Sequence, residues 1–169
     1  ELGWTQRDWS VGAWWREVDG GFSVARFDTG QDVREYGAEV RGEFGADVGI
    51  YAKASQAERG AESLGQVQLT AEWRLSQDRT VSGELRRVDE QRLGGEAAGT
   101  LAAFQYKHRL RTSLDLYGIA QVTVDDDGGA YQENDALTVG AQYQFGNLST
   151  VGAELTTGDR GDALRVDGE

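Results

Sequence analysis

The chain is predicted to be all-β: an antiparallel up-and-down meander of about ten strands. Three observations carry this. Apolar and polar residues alternate strictly over many segments, which gives each strand one apolar and one polar face. The segments come in pairs around short polar stretches. Tyr36–Phe44 leads into Val48–Ala54, Val67–Leu75 into Val81–Leu85, Ala98–Tyr106 into Leu114–Val124, and Leu137–Phe145 into Val151–Thr157. Nothing between them has the period of an amphipathic helix.

Composition narrows the class. The 169 residues suit one domain, residues 1–169, or one segment of a larger domain. There is no Cys, which removes disulfides and thiolate chemistry. There is no Pro, which suits long strands that use every N–H in a ladder. A formal charge of −12 argues against a nucleic-acid partner, whose surface contact has to be basic. Mean hydropathy is low, at −0.57. Five Trp, six Tyr and five Phe nevertheless fall mostly on the alternating segments, against the signature of disorder. Low hydropathy with strong alternation suits a membrane β-barrel, whose inner half is polar. No Met stands at position 1, which suggests a processed or excised chain.

Each element follows from its local pattern. A first pair is expected at Trp9–Val18 and Phe22–Asp28 around the turn Asp19-Gly20-Gly21. The other eight strands are the four hairpins above. Short connections are expected at 19–21, 45–47, 76–78, 108–112 and 146–148. Longer ones, rich in Asp, Glu and Gly, are expected at 29–35, 55–64, 89–96, 125–135 and 158–169. The two kinds alternate, as periplasmic turns and outer loops do in membrane barrels.

Parity sorts the side chains. One face carries Val40, Ile50, Leu69, Leu85, Val139 and Leu155 among others. The other carries Glu39, Arg41, Glu43, Lys53, Glu72, Arg74, Glu84 and Arg86, which would line a water-filled lumen if the sheet closes. Aromatics gather before the short turns: Phe44, Trp73, Tyr106, Tyr143 and Phe145 are expected to form a lipid-interface girdle. Phe44 and Val48 must share a face, so the first of these turns holds Gly45 to Asp47. That register sets Glu39 opposite Lys53. With the turn at 76–78, Trp73 lies beside Val81 and Glu72 stays clear of Glu84.

The segments Tyr36-Gly-Ala-Glu-Val-Arg-Gly-Glu-Phe44, Leu69-Thr-Ala-Glu-Trp-Arg-Leu75 and Val139-Gly-Ala-Gln-Tyr-Gln-Phe145 resemble strands of bacterial outer-membrane β-barrels, including porin-like and TonB-receptor-like ones. The resemblance is one of pattern and spans nearly the whole chain. It implies a Gram-negative outer-membrane location, lipid or detergent on the apolar face, and a wall or pore role without catalysis. Counting ten strands puts both ends on the long-loop side, with Asp167-Gly168-Glu169 in a loop-like stretch. This favours a slice of a larger barrel, bordered by further strands or by copies of the chain. Two alternatives stay open: a small complete barrel, and an excised sheet that assembles into filaments through its edges.

Chemical sites are few. The one histidine, His108, is expected in a short turn, with Ser113 and Asp115 near in sequence but not converging on it. The run Asp125-Asp126-Asp127 is acidic but lacks the spacing of a calcium loop. The tripeptide Arg160-Gly161-Asp162 is expected to be incidental, and Trp14-Trp15 to put one ring on each face. No cofactor or metal ligand set is expected.

Overall fold

A computed structural model describes residues 2–19, 23–24, 27–28, 32–127, 133–145 and 149–168. Every regular element among them is a strand. In chain order they are β1 (Leu2–Gln6), β2 (Trp9–Val18), β3 (Ser23–Val24), β4 (Phe27–Asp28), β5 (Val33–Phe44), β6 (Val48–Arg59), β7 (Glu62–Ser76), β8 (Arg79–Arg92), β9 (Gly95–Arg111), β10 (Leu114–Asp126), β11 (Ala136–Phe145), β12 (Ser149–Gly158) and β13 (Ala163–Gly168). Eleven of them form one sheet in the order β1-β2-β5-β6-β7-β8-β9-β10-β11-β12-β13, and β3 and β4 pair separately. Every ladder is antiparallel.

The registers expected from parity are present. Phe44 pairs with Val48 and Glu39 with Lys53. Trp73 pairs with Val81, while Glu72 meets Ser82 and Glu84 meets Thr70. Gly45 adopts φ +66° in the three-residue turn, a conformation open to glycine at little cost.

Four expectations need correction. β2 pairs with β1 and β5, not with the segment at 22–28. Gly20 and Gly21 of the expected first turn lie outside the described residues, and the turn that opens the sheet is Arg7-Asp8. It has no glycine and holds Arg7 at φ 26°, so it lacks the usual turn signal. At the other end, Ala163–Gly168 is a strand rather than a loop. It has only two large apolar residues, Leu164 and Val166, and pairs with β12. Its last residues reach the end of the sheet where the Gly45–Asp47 turn lies, not the opposite end. Third, two of the expected long loops are mostly strand. β6 and β7 meet at Gly60-Ala61, and β8 and β9 at Leu93-Gly94. Their polar residues form ladder outside the apolar band, where neither face needs to be greasy. Fourth, His108 lies inside β9, which runs on to Arg111 before turning at Thr112-Ser113.

Three bulges adjust the register, at Leu75, Leu110 and Val124. Each leaves one aliphatic residue unpaired and steepens the local twist. At the lower rim, where 45–47 turns, backbone bonds stitch each turn to the next strand. Asp8, Asp47, Asp78 and Ser113 carbonyls accept from the N–H groups of Glu43 (2.8 Å), Arg74 (2.7 Å), Arg109 (2.7 Å) and Gln144 (2.8 Å).

The sheet has no dry core. Among the described residues Val88 is the one buried large hydrophobic, whereas Trp73, Phe104, Leu137 and Val139 are at least half exposed. A water-soluble sandwich would cover that face with a second layer. The apolar face here is left bare, from Trp4 and Val11 on β2's side of the sheet to Leu164 and Val166 on β13.

Candidate functional site: the polar face of the wall

Cross-strand partners share a face, so the ladders can be read as rungs across the sheet. One rung runs Glu39, Lys53, Gln68, Arg86. The rung below runs Arg41, Tyr51, Thr70, Glu84, and the next polar one runs Glu43, Gly49, Glu72, Ser82. Below that, Arg74, Thr80, Lys107, Tyr117, Gly140, Glu154 and Arg165 form a fourth. All eight charged residues singled out from sequence therefore stand on one face. Four are acidic and four basic, so this set is balanced while the whole chain carries −12.

The contacts on this face are specific. Tyr51 donates its hydroxyl to Glu39 at 3.1 Å, and the Arg41 guanidinium lies 5.0 Å from the centre of the Tyr51 ring. The Lys53 ammonium sits 5.2 Å from the centre of the Trp14 ring. Glu39 and Lys53 are directly opposed, as expected, but each engages an aromatic neighbour in place of a direct ion pair. A cation over an aromatic face contributes on the order of 1 kcal/mol at such half-buried sites. Arg74 donates to the Ala46 carbonyl at 3.2 Å.

A second cluster lies across β9 to β12. Asp115 takes Lys107 at 2.8 Å and Arg109 at 3.0 Å. Tyr117 donates to Glu154 at 2.8 Å. The Tyr117 ring covers Gly140 directly opposite it, and the Trp14 ring covers Gly37 in the same way. A methyl group at either glycine would overlap the ring. These pairs explain part of the glycine content: the aromatic needs a bare backbone to lie on. Trp14, Asp115, Tyr117 and Glu154 were not singled out as site residues. Parity marks them as polar-face residues, but nothing in sequence shows that they touch. Arg165 and Asp167 were missed because their strand was not expected.

The opposite face carries the expected aromatics. Phe44, Trp73 and Tyr106 lie on one rung, with Val48 and Val81 between them. Tyr143 and Phe145 lie lower, stacked with ring centres 6.4 Å apart. Trp9 joins the set edge-on to Phe44 at 5.1 Å and covers Gly42, a neighbour hidden by the misplaced first hairpin. Trp14 and Trp15 do fall on opposite faces, since Trp15 pairs with Tyr36 on the apolar one.

Above the band the apolar face turns charged. Arg34 bonds Glu17 at 2.9 Å and nears Glu58 at 3.7 Å. Arg87 bonds Asp89 at 2.9 Å and nears Asp125 at 3.5 Å. From Tyr36 to Phe44 the apolar band is nine residues long. At roughly 3.3 Å per residue and a strand tilt near ~40°, that is about 20 Å of height, on the scale of a bilayer's hydrocarbon.

His108 follows Tyr106 on the apolar face and pairs with Leu116, whereas Asp115 points to the polar face. The described residues thus keep the two apart. Among them no group of three His, Asp or Glu is placed to hold a metal ion.

Comparison with solved structures agrees with this architecture. The chain matches a loop L8 deletion mutant of OmpT, an outer membrane protein of Vibrio cholerae, with a TM-score of 0.74 and 14% identity, over 98% of this chain and 59% of that one. It matches the KdgM porin with a TM-score of 0.56 and 12% identity, over 95% of this chain and 89% of that one. The same figures hold for KdgM in complex with disordered oligogalacturonate. The chain has the fold of the outer-membrane β-barrels. It spans about three-fifths of the OmpT chain's length. No family model and no curated protein sequence matches it.

Proposed function

We propose that the chain is wall of a β-barrel in the bacterial outer membrane, and that its polar face lines a water-filled path for passive passage, without catalysis. One observation carries this: a single-layer sheet with a bare apolar face and a charged, aromatic-braced polar face. Lipid or detergent suits the first face, and water suits the second. The fold shared with a porin supports the same reading. The balanced charges of the polar rungs fit a path with little intrinsic preference for either ion sign.

The test is reconstitution. The chain folded in detergent is expected to show β-type circular dichroism and heat-modifiable gel mobility, and ion conductance in planar bilayers is expected once the wall is closed. A monomer that stays dispersed without detergent would overturn the membrane reading. Hydrolysis of a lipid or peptide substrate that is lost in His108→Ala would overturn the non-catalytic one.

A further inference from the structure

Arginines on the outward, apolar face are held differently at the two rims. At the upper rim Arg34 bonds Glu17 and Arg87 bonds Asp89. At the lower rim Arg79 and Arg111 enter no ion pair among the described residues. Arg79 is the first residue of β8 and Arg111 the last of β9, so both stand where the chain turns. Arg79 is directly opposite His108, which follows Tyr106 on the outward face. Arg111 reaches that face through the bulge at Leu110. It pairs with Leu114, and His108 pairs with Leu116, so both lie on the leucine side of β10. Strict alternation from His108 would have turned Arg111 toward the polar face, and the extra residue re-aims it. Arg109, between them, stays on the polar face and bonds Asp115.

The patch holds no counter-charge of its own. Among the described residues no acidic strand residue faces outward at the lower rim. Asp8, Asp47 and Asp78 lie in the turns, and none of them pairs with Arg79 or Arg111. The whole chain carries −12, so two unanswered guanidinium groups are not a sample of its average surface. The next outward rung into the wall is Trp73, Val81 and Tyr106. Exposed Trp and Tyr settle at the headgroup level of a bilayer. One rung is two residues, roughly 7 Å along a strand, comparable to the ~5–7 Å headgroup layer on one side of a bilayer. The cations therefore lie among lipid headgroups.

We propose that Arg79, Arg111 and His108 bind the phosphate of an anionic phospholipid, with the Trp73 and Tyr106 rings against its glycerol and upper acyl carbons. Each guanidinium supplies a fixed positive charge and paired N–H donors that match phosphate oxygens. The imidazole supplies one further N–H donor. A lipid fits better than a dissolved anion because the patch continues the apolar band, and a small ion would leave the aromatic rings uncovered. The basic groups across the wall, Lys107 and Arg109, are already held by Asp115 and cannot compete for it.

This site rests on the wall reading above. The test uses the whole chain folded in detergent, each variant checked by heat-modifiable mobility. Native mass spectrometry with equal amounts of phosphatidylglycerol and phosphatidylcholine reads which lipid stays bound. The unaltered chain is expected to retain phosphatidylglycerol preferentially. Arg79→Gln and Arg111→Gln should each reduce that preference roughly fivefold, as expected for one basic residue at an anionic surface, and the double variant should lose it. Arg34→Gln, at the upper rim, should leave it unchanged. Equal retention of the two lipids by the unaltered chain overturns the site. So does a preference that survives in the double variant or falls as far in Arg34→Gln. Full competition by inorganic phosphate would make this a soluble-anion site and overturns the lipid assignment. A chain that does not fold in detergent sinks the wall reading as well, whereas a folded chain without the preference sinks the site alone.

Discussion

The stretch of wall between the aromatic rim and Tyr36 differs sharply from the β6–β7 and β8–β9 hairpins that rise above it. Both are parts of the same antiparallel ladders. Only the outward side chains change. Within the band they are Val40, Leu69, Leu85 and Phe104; above it they are Glu58, Ser63, Arg87 and Asp89. Backbone pairing is thus indifferent to the solvent, and the solvent boundary is written in side chains alone. The lesson is that a rim is not where a strand ends but where its outward residues change from apolar to charged.

The largest expected effect tests that boundary directly. Leu69→Arg, in the middle of the band, should cost about 2–4 kcal/mol in lipid, since it buries a cation among acyl chains. Ser63→Arg lies on the same face of the same strand but above the band, and should stay within ~0.5 kcal/mol. Urea unfolding of the chain in phospholipid vesicles measures both. Equal costs would mean that the band does not end near Tyr36.

The next contrast is between glycines. Gly140→Val would drive the Tyr117 ring off its seat and should cost ~1–3 kcal/mol by overpacking. Gly94, at the tip of the β8–β9 hairpin, has no atom near enough to meet an added Cβ. Gly94→Val should therefore shift the unfolding midpoint little. A smaller difference is expected between polar contacts. Tyr117→Phe removes a half-buried bond to Glu154 and should cost ~1 kcal/mol. Arg34→Ala removes exposed ion pairs above the band and should shift the unfolding midpoint less than Tyr117→Phe does. Its effect should fade in high salt, which a titration of sodium chloride would reveal.

The smallest effect concerns length. A two-residue Gly-Ser insert between Leu93 and Gly94 should leave folding intact, because doubling a loop costs only ~0.6 kcal/mol. The same insert within Gly45–Asp47 would cut the bond from the Arg74 N–H to the Asp47 carbonyl and disturb the register that pairs Phe44 with Val48. Heat-modifiable mobility distinguishes the two, and equal tolerance would remove the asymmetry between the ends.

Much of the fold was legible because the strand period of two leaves no freedom. Once Phe44 and Val48 share a face, the Glu39–Lys53 and Trp73–Val81 pairings follow, and the structure has both. The misreadings fall where that constraint fades. β1 is five residues long, and its turn, Arg7-Asp8, is built without glycine. β13 offers two apolar residues. The upper hairpins are charged on the outward face and mixed on the inward one, where Ala57 pairs with Leu64, so they lose the alternation seen in the band and look like loops although they are ladder. The site was legible as a set of polar-face residues, but not as contacts. That Lys53 turns to Trp14 while Glu39 turns to Tyr51 depends on side-chain directions across three strands, which alternation does not encode.

The amino-acid order alone determined which residues are wet and which are greasy, because successive side chains on a strand must point to opposite faces. The tertiary arrangement decided the rest: that eleven strands among the described residues form one sheet, that none of those residues forms a second layer over its apolar face, and that its two edges run in the same direction. Those are properties of how strands are joined and counted. No local pattern can carry them, since each hairpin looks the same whichever way the sheet finally closes.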